Sequence, residues 1–144
     1  MTASQRTALY SPELLALAVE LADCPLDPAM PLQGHARSRT CGSTITFSAR
    51  GDGRIETFGM RVAACAVGQA AAALFARSAT GRTTAEVEEA LDQLRGWLAK
   101  EGAEPTWPGI GVLAPARDHP GRHEAILLPW RAALDALCNA QTRG

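Results

Sequence analysis

Aromatic residues are scarce in this chain. Three Trp, three Phe and one Tyr make up 5% of 144 residues, too few for the stacking platform that single-stranded nucleic acid needs. An excess of one charge is missing too. Fourteen Lys+Arg stand against 15 Asp+Glu, a net charge of −1, which leaves no bulk electrostatic footprint for nucleic acid or a membrane surface. No run approaches the ~18 apolar residues of a membrane helix. The opening stretch "MTASQRTALYSPELL" has no basic segment followed by an apolar one, so no secretory leader is expected. These absences predict a cytoplasmic protein that binds neither nucleic acid nor membrane. Cysteine is sparse, with Cys24, Cys41, Cys65 and Cys138 only. Their spacing fits neither a CxxC zinc site nor a disulfide framework, and a reducing compartment keeps them as thiols. A phosphate loop, a dinucleotide-binding glycine fingerprint and internal repeats are likewise absent.

What is present reads as one domain over residues 1–144, with 47% hydrophobic and 20% charged residues. Residues 11–23, "SPELLALAVELAD", predict a helix with Ser11 as N-cap and an apolar stripe of Leu14, Leu15, Val19 and Leu21. Three prolines in residues 24–31 end it. Residues 32–40 fit an edge strand or a loop. Residues 41–50, "CGSTITFSAR", alternate as a strand, the "GDG" of 51–53 signals a hairpin turn, and 54–62 form the partner strand with Phe58, Met60 and Val62 on one face. Alanine-rich residues 65–81 and residues 83–102 predict two helices, the second with a Thr83/Glu86 capping box. Residues 104–121 read as loop with one short helical turn, and 122–140 as a last helix interrupted at Pro129. Trp97, Trp107 and Trp130 are expected as packing anchors. Helix, antiparallel sheet and then several helices make an α+β pattern.

Cys65 falls where a strand ends and a helix begins. Backbone N–H groups and a positive dipole end gather there, and both favour the thiolate. Cys41 opens the neighbouring strand, so a hairpin brings both thiols to one end of the sheet. Free cysteine also packs readily as an inert small apolar residue, and that alternative stands beside the chemical one.

A set of motifs in order narrows the choice. Tyr10 precedes the first helix, then come Cys41-Gly42-Ser43, "GRIE" at 53–56, "ACAV" at 64–67, "GRTTAE" at 81–86 and "HPGRHEAILLPW" at 119–130. Over roughly residues 10–137 the chain resembles the U-type iron–sulfur cluster scaffold family of IscU, SufU and the N-terminal domain of NifU. The resemblance implies a SufE/NifU-like fold, a small three-stranded antiparallel sheet with helices packed on it. It implies a scaffold or sulfur acceptor, rather than a turnover enzyme, working with a cysteine desulfurase and iron–sulfur acceptor proteins as a monomer or homodimer. The family site has three cysteines and an aspartate. Cys41 and Cys65 match two of the cysteines, while Ser43 stands at the aspartate and Ala125 at the third cysteine. Cys24 and Cys138 match none.

The ligand set that the resemblance implies is therefore Cys41 and Cys65, with His123 and Glu124 as weaker candidates from the start of the last helix. The cargo would be a transient iron–sulfur cluster, or zinc or iron, or nothing at all given the two missing ligands. Two cysteines from each subunit of a dimer would also supply four. An adaptor or regulator with this fold and no cluster is the alternative function. Cys65 as the nucleophile of an unrelated enzyme would need a base, and His123 is the one histidine placed for it. His35 and His119 are expected as surface or turn residues, and Asp118 could stand in for the missing carboxylate, though its spacing does not argue for it.

Overall fold

The structure, a computed structural model, describes residues 10–20 and 24–143, the last four as backbone alone. Its elements are α1 (Pro12–Glu20), β1 (Leu32–Arg37), β2 (Thr44–Arg50), β3 (Thr57–Ala63), α2 (Ala66–Ser78), α3 (Thr84–Leu98), short 3₁₀ helices at Ile110–Asp118 and Pro120–Arg122, and α4 (His123–Arg143). The strands form one antiparallel sheet in the order β1-β2-β3, the α+β arrangement that the pattern predicts.

Alternation along the strands sorts their residues by face. The pairs Ala36↔Ile45↔Val62, Gly34↔Phe47↔Met60 and Leu32↔Ala49↔Phe58 share the inner face. Against it pack α2, whose Ala70, Ala71, Ala72 and Phe75 are buried, and α4, which brings Ala132, Ala133 and Ala136. Trp107 stacks on Phe75 with ring centroids 5.4 Å apart, Trp130 meets both rings edge-on, and Trp107 Nε1 donates to the Leu74 carbonyl at 2.9 Å. The tryptophans are anchors, as expected.

Small residues set how closely α4 approaches. A Cβ on Gly34 would stand 2.2 Å from the Ala132 carbonyl oxygen and 2.5 Å from the Ala136 nitrogen. The helix backbone thus rests directly on β1. From that position α4 also covers the open edge of the sheet, since the Asp135 carboxylate accepts the His35 N–H at 2.9 Å and Asn139 Nδ2 donates to the Gln33 carbonyl at 3.1 Å. Edge strands left unpaired recruit other chains, and side chains of α4 occupy this one.

Several boundaries depart from expectation. β3 starts at Thr57, three residues later than the "GDG" turn signal implies. Residues 51–56 form a longer connection in which buried Ile55 is tied by its N–H to Arg82 O and by its carbonyl to the Gly81 N–H. That long-range tie overrides a tight hairpin. Cys41 lies in the β1–β2 connection, since β2 begins at Thr44. α4 runs unbroken through Pro129. Pro129, in the second turn, removes the one N–H that would bond the Ala125 carbonyl, and the buried flanking residues Leu128 and Trp130 hold the helix in the core despite that loss. Residues 110–118 are 3₁₀ helix rather than loop. On α1 the buried residues are Leu14 and Leu17, while Leu15 and Val19 are exposed; Leu21 lies outside the described residues. Ser11 caps α1 by accepting the Leu14 N–H at 3.2 Å, and the Thr83/Glu86 capping box forms as expected.

Candidate functional site

The last rung between β2 and β3 is Thr44↔Ala63. Cys41 sits just before Thr44 and Cys65 just after Ala63, so the sheet delivers both to one end. The connection before Cys41 is closed by the Ser38 N–H donating to Ser43 O at 2.8 Å. Ser38 Oγ accepts the N–H groups of Thr40 and Cys41, each at 3.3 Å. The neutral Cys41 thiol donates to this oxygen as well, and once the thiol ionises the Ser38 hydroxyl can turn to donate to the sulfur. Cys41 Sγ lies 3.3 Å from that oxygen and 2.9 Å from Ser43 Oγ. Both serines are buried while Cys41 is exposed, so the sulfur is a natural partner for hydroxyls withdrawn from water.

Donation to sulfur favours the charged form. The Cys41 thiol is lowered below its ordinary range, first by the Ser38 hydroxyl and then by that of Ser43, against a smaller opposing effect of burial. Reaction with iodoacetamide follows the thiolate fraction. The pH midpoint for alkylation of Cys41 is therefore expected below that of an ordinary cysteine. Ser38→Ala and Ser43→Ala remove one donor each and should each move the midpoint upward, which mass spectrometry of the Cys41 peptide across a pH series would read. A midpoint unmoved by either change would refute the hydroxyl assignment.

Cys65 is the N-cap residue of α2, with extended backbone (φ −66°, ψ 171°) and a side chain unused in capping. Its carbonyl accepts the Gln69 N–H at 2.9 Å, and the residue is half-buried. Arg122 immediately precedes α4. Its Nη2 donates to the Tyr10 hydroxyl at 3.3 Å, and its basicity is raised first by that hydrogen bond and the charge on Tyr10, then by the negative character of Cys65 and of Cys41. Neither Arg122 nor Tyr10 stood among the site residues read from sequence, where they served only as positional markers of the resemblance.

The weaker candidates are otherwise engaged. His123 Nε2 meets the Ala116 and Arg117 carbonyls, both at 3.1 Å. The Glu124 carboxylate accepts the Arg39 N–H at 3.0 Å, bracing the connection that carries Cys41. Asp118 pairs with Lys100, whose hydrogen bond holds its carboxyl below the usual range. Ser43 lends its hydroxyl to Cys41. Ala125 is buried where α4 crosses the start of α2, its Cβ 3.3 Å from the place a Gly68 side chain would take. Among the described residues no three His, Cys, Asp or Glu side chains converge as a metal site. The described donors of one chain do not fit a four-ligand cluster.

No protein-family model matches the chain, and no curated protein does. Solved structures do match. The N-terminal part of a nitrogen-fixing NifU-like protein from Brucella abortus is 26% identical, with a TM-score of 0.89 over 97% of this chain and 99% of that one. A protein from thermophilic Fervidobacterium islandicum AW-1, assigned as an iron–sulfur cluster assembly scaffold for the SUF system, is 19% identical, with a TM-score of 0.79 over 91% and 98%. Helices packed on a three-stranded antiparallel sheet, with two thiols at its end, define a NifU-like α+β protein. The chain is similar in fold to these NifU-like and SufU structures, in keeping with its resemblance to the U-type iron–sulfur cluster scaffold family.

Proposed function

We propose that this protein serves iron–sulfur cluster assembly as a sulfur acceptor, taking sulfur from a cysteine desulfurase at Cys41 and passing it to cluster-building proteins. The observation that carries this reading is the exposed Cys41 sulfur held between two serine hydroxyls, with Cys65 at the same end of the sheet. The assignment of the structurally similar Fervidobacterium protein as an iron–sulfur cluster assembly scaffold supports the setting. The Cys41 thiolate attacks the outer sulfur of a persulfide, R–S–SH. A new S–S bond forms on Cys41, the old S–S bond breaks, and the donor cysteine leaves as a thiolate. No electron is gained or lost overall. Arg122 supports the anionic sulfur before and after transfer. Among the described residues no helix is long and apolar enough to cross a membrane, and a reducing cytoplasm would keep both thiols ready.

Depletion of the ligand set favours a second reading, an adaptor with the same fold and no sulfur chemistry. Incubation with a cysteine desulfurase and cysteine, followed by persulfide trapping and mass spectrometry, separates the two. Persulfide is expected on Cys41 and absent from Cys41→Ser. Association with the desulfurase but no persulfide on either thiol would move the assignment to the adaptor.

A further inference from the structure

The sheet has a second face, and its charge is one-sided. The outward residues are Gln33, His35 and Arg37 on β1, Thr44, Thr46, Ser48 and Arg50 on β2, and Thr57, Gly59, Arg61 and Ala63 on β3. Three arginines and a histidine stand there without a carboxylate, in a chain whose net charge is −1.

Half of this face is covered. The Asp27 N–H donates to Ser48 Oγ at 3.1 Å, the Met60 N–H donates to Cys24 O at 3.0 Å, and Gln33 Nε2 donates to Met30 O at 2.8 Å. A Cβ on Gly59 would stand 2.0 Å from Pro25 O. Residues 24–30 therefore lie on the end of the face distant from the thiols. The other half is open. It holds two rows, His35↔Thr46↔Arg61 and Arg37↔Thr44↔Ala63, with His35, Arg37 and Arg61 all exposed. Arg39 in the adjoining connection extends the positive edge toward Cys41. Among the described residues the side chains of Arg37, Arg39 and Arg61 take part in no ion pair. The nearby carboxylates of Asp135 and Glu124 are directed to backbone N–H groups of His35 and Arg39.

We infer that this open half of the outer face is a docking surface for an acidic protein partner, seated beside Cys41. Charge complementarity selects the partner, since complementary charge steers encounter and fixes orientation. His35 and Arg61 are two strand spacings apart, about 10 Å, which suits a pair of carboxylates on a protein. Nucleic acid binding of ordinary strength neutralises about 6–10 phosphates, more than these few cations reach. The inference goes beyond the sulfur-acceptor reading and does not depend on it.

The test uses a polyglutamate peptide as probe, titrated into the ¹⁵N-labelled full chain at low salt. Amide shifts are expected at His35, Arg37, Thr44, Thr46 and Arg61. The double variant Arg37→Glu, Arg61→Glu should weaken binding by about tenfold or more, as should raised salt. Arg95→Glu on α3 serves as the surface control and should bind as before. Unchanged amide positions away from the patch would show that the double variant is folded. Shifts that map elsewhere, or equal binding by the double variant and the control, would overturn the inference. Tighter binding of a single-stranded oligonucleotide than of polyglutamate at the same salt would overturn the partner class.

Discussion

Gly34→Ala is expected to destabilise the protein by about 3 kcal/mol or more, near the upper end of overpacking costs. Its Cβ would press within 2.2 Å of a carbonyl oxygen and 2.5 Å of a nitrogen, both in the backbone of α4. A flexible side chain could turn aside, whereas a helix backbone must move as a unit. Moving α4 disturbs buried Ala132, Ala133 and Ala136 together with Trp130, and it loosens the caps that Asp135 and Asn139 place on β1. At about 2–4 °C per kcal/mol for a chain of this size, the melting temperature should fall by roughly 10 °C. Gly121→Ala makes the contrast, because nothing stands within 4 Å of a Cβ there, and it should melt close to the parent. Calorimetry of the three chains decides the matter, and a Gly34→Ala protein as stable as the parent would contradict the close seating of α4.

Ser43→Asp with Ala125→Cys is expected to raise the chain's affinity for metal sharply. Ala125 is buried beside Gly68, on the turn that begins at Cys65. An aspartate at position 43 would stand where a hydroxyl now lies 2.9 Å from Cys41 Sγ. Four-ligand zinc sites are worth about 10–16 kcal/mol in total. Two added ligands should therefore tighten zinc binding by on the order of a hundredfold or more. Calorimetric zinc titration, together with iron and sulfide analysis after anaerobic reconstitution and desalting, provides the readout. Each single change should give an intermediate result. If the double variant retained no more metal than the parent, Ala125 would not stand at a vacated ligand position.

Much of this arrangement was legible in the sequence. Period-2 alternation at Ile45, Phe47 and Met60 identified the sheet and its inner face, and Thr83 with Glu86 marked a helix start that forms as expected. Both are local signals. The long β2–β3 connection was not legible, because it is set by Ile55 binding the backbone at Gly81 and Arg82, a contact with no trace in the turn residues. Leu15 and Val19 looked like core on α1 by spacing alone, but Leu17 took the inward position. At the site the thiols could be named, whereas Ser38 could not. Its function depends on accepting two N–H groups within a closed loop, which only three-dimensional closure creates. The cationic outer face was hidden for another reason, since a net charge near zero averages over both sides of the molecule.

The caps on β1 bear on how the chain is made. His35 receives its partner from Asp135 and Gln33 from Asn139, so about a hundred residues are translated between a strand and the groups that close its edge. At roughly 5–20 residues per second, the nascent sheet stands with an open side for some 5–20 seconds. During that interval its exposed N–H and C=O groups can pair with any other extended chain. The edge of β1 is thus closed only after α4 has left the ribosome.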